Sequence, residues 1–141
     1  MTATVFERNE AELSATELAP AFELHLRQAG RTVLARVNGP LDLHHSPQFL
    51  NRMDPFQSGY RRVVVDLRDA EYVDSAGVRA LLLLHRNLAS SRSELRLVVK
   101  PGSRVERVLR LLKLDSYFHL YQCAVDAWGR DAAPEPAALV S

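Results

Sequence analysis

Apolar and polar residues alternate along Phe22-Glu23-Leu24-His25-Leu26-Arg27, the two-residue period of a strand with one buried face. Gln28-Ala29-Gly30-Arg31 then reads as a turn, with Gly30 free to adopt the backbone angles of a tight reversal. Val33-Leu34-Ala35-Arg36-Val37 is predicted to return as a second strand, so the fold opens with a hairpin. Ser46-Pro47 marks a helix start: Ser is a good cap and Pro suits the first helical position. Phe49, Leu50 and Met53 give that helix one apolar face before Pro55 ends or kinks it. Val63-Val64-Val65-Asp66-Leu67 is a continuous apolar run, as expected of a central strand covered on both faces. Ser75 to about Ser90 is predicted to be helical, with Val78, Leu81, Leu82 and His85 facing the core. Leu95 to Val99 forms a further strand. Ser103 and Glu106 make a capping-box pair, and Val105, Val108, Leu109 and Leu112 follow at i, i+3, i+4, i+7 spacing. A short strand near Phe118 to Tyr121 and a helical turn around Val125 to Trp128 close the series. The order β-β-α-β-α-β-α-β-α implies one mixed sheet with helices packed against it.

The ends of the chain lack this patterning. Residues 1–20, rich in Ala, Glu and Thr and ending at Pro20, read as an extension that is either disordered or a short helix. Residues 131–141 are a low-complexity, flexible tail, which leaves residues 21–130 as the single domain. With 47% hydrophobic residues in 141, such a chain buries a core without metals or disulfides. Lys and Arg number 18 against 17 Asp and Glu, so no broad basic surface is available to grip nucleic acid directly. Cys123 is the only cysteine, which excludes an intrachain disulfide and a cysteine metal cluster. Met1 to Glu12 lacks the apolar stretch of a signal peptide, and the longest apolar run, Leu81 to Leu84, is far too short for membrane insertion. A cytoplasmic location fits these features.

Two stretches carry a specific resemblance. Asn38-Gly39-Pro40-Leu41-Asp42-Leu43 resembles the G-x-L-D turn after the second strand of STAS domains. Val63 to Leu67, a short loop and then Tyr72-Val73-Asp74-Ser75-Ala76-Gly77-Val78 resemble that family's strand, loop and D-S-[S/T/A]-G helix start. Together with the later elements, the resemblance runs from about Phe22 to Trp128. It implies an α/β fold with a mixed sheet of about four to five strands, an opening hairpin and helices mainly on one face. It also implies a bacterial regulatory module without catalysis or a cofactor: an anti-sigma factor antagonist (anti-anti-sigma factor), acting in signal transduction and transcription regulation. Such a protein binds an anti-sigma factor with a histidine-kinase-like serine kinase fold. Phosphorylation of the serine after the motif Asp, here Ser75, releases the partner, and a PP2C-type phosphatase restores binding. The implied partner-binding residues are Asp42, Asp74, Ser75, Ala76, Gly77 and Arg79. Ala76 stands where many phosphorylated members carry a second Ser or Thr, and Arg79 where a small Gly is common.

The local chemistry also suits a switch. Ser75 lies where a loop enters a helix, a place where recognition residues collect. Gly77 permits close backbone approach. A phosphate there adds about −1.5 to −2 charges at pH 7. The plainer alternative is that Asp74 and Ser75 simply cap the helix. Other residues invite other readings. Asp42, His44 and His45 hint at a metal, but adjacent histidines seldom converge on one ion and no third ligand has helpful spacing; Asp42 suits a turn cap. Asp66, with Lys100-Pro101 after a later strand, resembles a phospho-acceptor receiver site, yet the acidic pair closing the first strand of that fold is missing. Arg104, Arg107 and Arg110 form a basic line best explained as a solvated helix face. Trp128 is expected as a core or edge anchor, and Cys123 as a small buried hydrophobe. No glycine-rich phosphate loop, nucleophile elbow or paired carboxylates support an enzyme. The alternatives left open are a STAS-type regulatory subunit of a membrane transporter, such as a lipid-trafficking ATPase, or a signalling scaffold subunit, neither needing a phospho-switch. A homodimer is also open, because the apolar stretch Leu81 to Leu84 exceeds what one contact surface requires.

Overall fold

A two-residue turn at Gly30-Arg31, with Gly30 at φ 61°, reverses the chain between β1 (Glu23–Ala29) and β2 (Thr32–Leu41). The strands pair antiparallel, Glu23 opposite Asn38 and Ala29 opposite Thr32. The computed structural model describes residues 21–129; the expected extension at 1–20 and the tail at 131–141 lie outside them. From β2 the chain continues through α1 (Ser46–Met53), a 3₁₀ turn (Asp54–Phe56), β3 (Arg62–Asp66), β4 (Ala70–Val73) and α2 (Ser75–Ser90). It ends with β5 (Glu94–Val98), α3 (Arg104–Leu111), β6 (His119–Tyr121) and α4 (Ala124–Trp128). The sheet order is β1-β2-β3-β5-β6, with β4 attached to the far end of β2. All pairings except β1–β2 are parallel. The antiparallel edge removes the wholly parallel, receiver-like alternative. Asp66 is equally unlike an open phospho-acceptor: it is buried, and its carboxylate accepts from Arg68 Nε at 3.0 Å and Nη2 at 2.7 Å.

Alternation along the central strands separates two cores. Val33, Ala35, Val63, Val65, Leu95 and Leu97 face α1, α2 and α3, where Phe49, Met53, Leu81, Leu84, Val105 and Leu109 close over them. Leu34, Val64 and Val98 face the opposite side and are covered by Ala124, Ala127 and Trp128 of α4. The helices are thus mainly on one face, and Trp128 is a core anchor. Two arginines fasten α4 to the sheet by satisfying carbonyls of its last turn. Arg62 Nη1 donates to the Trp128 carbonyl at 2.7 Å and Arg96 Nη1 to that of Ala127 at 3.1 Å. Glu94 lies between them, 3.4 Å from Arg62 Nε and 2.8 Å from Arg96 Nε. Burial opposes its charge, but these two cations hold its carboxyl below the ordinary value.

Several local expectations shift, among them Leu112, which lies just past the end of α3 and is exposed. Ser46 does not cap α1; it is the first helical residue, and its hydroxyl donates to the Asp42 carbonyl at 2.7 Å. The buried residues of α2 are Gly77, Val78, Ala80, Leu81, Leu84 and Leu88, whereas Leu82 and His85 are only half-buried. Cys123 is half-buried as well, at the start of α4. Among the described residues no helix is long and apolar enough to cross a membrane.

Candidate functional site

The site arises where β2 leaves β3. The first half of β2 pairs with β3 as far as Arg36, and the second half pairs with β4 through Gly39–Ala70 and Leu41–Val73, with a register shift between. Gly39 permits this bend: its φ is +95°, and a Cβ there would fall 2.0 Å from the Ala21 carbonyl oxygen. Side-by-side pairing of Leu41 and Val73 places the next residue of each strand, Asp42 and Asp74, at the same end of the sheet. Each aspartate then opens the route into a helix, Asp42 towards α1 and Asp74 into α2.

Asp74 joins the two routes. One carboxylate oxygen caps α2 by accepting from Gly77 N at 2.9 Å, and the other accepts from Leu43 N at 3.0 Å. Its backbone N–H donates to Leu41 O at 3.4 Å. Asp42 is the turn cap expected from its position. Its Oδ1 accepts from His45 N at 3.0 Å and lies 2.8 Å from His45 Nδ1, and its Oδ2 accepts from the Tyr72 hydroxyl at 3.3 Å. The His45 ring also stacks on Phe22 at 4.9 Å. Gly77 is buried against the turn, where an added Cβ would meet Leu41 O at 2.1 Å and Val73 Cγ1 at 2.8 Å. The close approach suggested by this glycine is therefore made by the chain's own β2.

On this locked frame, Ser75 is the exposed first residue of α2, and its hydroxyl has no hydrogen-bond partner among the described residues. Ala76 is half-buried, and Arg79 is exposed one turn further on. Leu43 projects from the neighbouring turn with 74% of its surface exposed, next to exposed His44. The structure thus brings Asp42, Asp74, Ser75, Ala76, Gly77 and Arg79 to one end of the fold, but with different standing. The two carboxylates are engaged internally, while Ser75 and Arg79 are presented to solvent. Sequence reasoning missed Tyr72 and Leu43, and weighed His45 beside Asp42 only as a metal ligand, whereas its ring lies against the Asp42 carboxylate. Leu43 left a trace, as a large apolar residue in a turn with no strand or helix period to bury it.

Desolvation works against the Asp42 charge, but bonds from the His45 backbone and ring and from Tyr72 outweigh it and lower its carboxyl pKa. A carboxyl lowered by folding contributes stability above its unfolded pKa, and that contribution disappears as pH falls through the folded value. Asp42→Asn should therefore lose about 1 kcal/mol at neutral pH. It should also show a shallower loss of stability than the parent as pH falls below about 4. Urea melts of both proteins from pH 7 to pH 3 give the comparison; parallel curves would assign the acid sensitivity to other groups.

A family model described as the STAS domain matches residues 23–127, and the chain belongs to that family. Among curated proteins, a Thermotoga maritima protein described as a candidate anti-sigma factor antagonist is 31% identical over 80 residues. The match takes in 57% of this chain and 65% of the relative, just under two thirds of its length. Among solved structures, an anti-sigma factor antagonist from Mycobacterium paratuberculosis superposes with a TM-score of 0.69 at 21% identity, covering 76% of this chain and 91% of that one. The anti-sigma factor antagonist SpoIIAA in its unphosphorylated form gives 0.59 at 23% identity, covering 84% and 92%. The two structural likenesses are likenesses of fold.

Proposed function

We propose that this chain is an anti-sigma factor antagonist that binds, unphosphorylated, an anti-sigma factor of the serine-kinase type and is released when Ser75 is phosphorylated. The observation that carries this reading is the presentation of Ser75: exposed, without a hydrogen-bond partner among the described residues, and mounted at the start of α2, which Asp74 ties to the turn after β2. A kinase needs such a hydroxyl to reach its own active site, and a binding partner needs a rigid surface around it. In the transfer, Ser75 Oγ takes the terminal phosphoryl group of ATP, ADP leaves, and the hydroxyl proton passes to the kinase. A PP2C-type phosphatase returns the serine by hydrolysis. The domain supplies no chemistry of its own; it is the ligand and the substrate of its partner. The description of the Thermotoga maritima relative supports the same role.

The test is incubation of the full chain with its anti-sigma factor and ATP, followed by phosphosite mapping and a binding measurement before and after. Phosphate on Ser75 accompanied by loss of binding is the expected result. Phosphate only on another residue, or a phosphorylated complex as tight as the unmodified one, would overturn it.

A further inference from the structure

We propose that Arg79 is the internal partner of a phosphate on Ser75, holding the modified side chain against the exposed face of α2. The inference rests on the reading of Ser75 as the phospho-acceptor and assigns the residue that receives the new charge. Arg79 stands four positions after Ser75, so their side chains are neighbours on one helix face, with Cβ atoms about 5–6 Å apart. Both are exposed. α2 contains no Asp or Glu along its 16 residues, so Arg79 has no acidic neighbour on its own helix. It makes no ion pair among the described residues, in contrast to Arg68, Arg96 and Arg110, each of which meets a carboxylate. The nearest carboxylate in sequence, Asp74, is fixed by Leu43 N and Gly77 N. That engagement has two consequences. Asp74 stays beside a phosphate placed next to it, and a cation within reach relieves their repulsion. A guanidinium offers paired donors that match phosphate oxygens, and Arg79 is the one cation a single turn away on the same face. Phosphorylation then changes two features of the face at once: it adds negative charge at Ser75 and withdraws the positive charge of Arg79 from an incoming partner.

The second ionisation of the phosphate reads this pairing without any partner protein. The full chain carrying phosphoserine installed at position 75 during synthesis is titrated by phosphorus NMR, alongside Arg79→Gln and Arg86→Gln in the same background. The other ionisable groups around the site are Asp74, Asp42, His44 and His45, Tyr72, and Arg104, whose guanidinium lies 5.9 Å from the Tyr72 ring. They are the same in all three proteins, so differences report the arginines. Arg79→Gln should raise the phosphate pKa by roughly 0.2–0.4 unit, while Arg86→Gln, with the same charge change further along α2, should move it by less than about 0.1. The Arg79 Nε–H signal should also shift on modification, in the parent and in Arg86→Gln alike. Equal shifts in the two variants, or an Arg79 signal indifferent to the phosphate, would overturn the pairing. Because the phosphate is installed rather than transferred, this result is independent of whether the kinase chooses Ser75, which the preceding experiment decides.

Discussion

Gly77→Ala should destabilise the domain by about 3 kcal/mol, at the upper end of overpacking costs, and lower Tm by on the order of 10 °C or more. The new methyl group would sit 2.1 Å from Leu41 O and 2.8 Å from Val73 Cγ1. The first obstacle is backbone, so no rotamer change relieves it. Relief requires α2 to draw back from β2, which stretches the bonds from Asp74 N to Leu41 O and from Leu43 N to the Asp74 carboxylate. Alanine is the better helix former by about 1 kcal/mol, an advantage too small to offset the clash. Gly59→Ala provides the contrast. Its φ is +87°, but nothing lies within 4 Å of the added Cβ, so only backbone strain of about 1–2 kcal/mol is expected. Thermal melts followed by circular dichroism separate the two variants. A Gly77→Ala protein that melts within about 3 °C of the parent would mean that α2 and β2 have room to part, and the rigid platform inferred for Ser75 would go with it.

The elements written in local chemistry were the legible ones. The β1–β2 hairpin follows from alternation around Gly30, and β3 from its valine run. Helix α3 follows from its capping box: Glu106 N donates to Ser103 Oγ, and the Glu106 carboxylate accepts from Gly102 N. What escaped depends on distant partners. β4 is four residues, Ala70-Glu71-Tyr72-Val73, too short to show a period, and it becomes a strand only because the end of β2 departs from β3 and lies beside it. The phase of α2 was unreadable through Leu81-Leu82-Leu83-Leu84, since four leucines fit the core from any rotation; packing on the sheet selects Leu81 and Leu84. At the site, the D-S-A-G and L-D motifs located the right turns. They suggested local caps at both aspartates but not the further donors Tyr72 and Leu43, which lie some thirty residues from Asp42 and Asp74 respectively. A charged residue in such a motif can be fastened within the chain by donors that its neighbours in sequence do not reveal.

That distinction sets the expectation for Ser75 itself. Ser75→Ala should leave stability within about 0.5 kcal/mol of the parent, because an exposed hydroxyl without a hydrogen-bond partner has little to lose. Ser75→Asp should fold as well, since a negative charge in the first turn of a helix interacts favourably with the helix dipole. The effect belongs to binding. In the proposed complex with an anti-sigma factor this surface would be dehydrated, and the new carboxylate would be buried next to Asp74, which is held in place by Gly77 N and Leu43 N. An unpaired charge at an interface costs about 2–5 kcal/mol, so Ser75→Asp should bind more than tenfold more weakly, and phosphoserine, with up to twice the charge, more weakly still. Ser75→Ala should keep parent-like affinity and become insensitive to ATP. Calorimetric titration of the three proteins into the anti-sigma factor, paired with melts that confirm equal folding, isolates the electrostatic contribution. Should Ser75→Asp bind within threefold of the parent, charge at this position would not govern the complex. Family membership would stand, and a transporter-subunit or scaffold role, which needs no switch at Ser75, would become the better account.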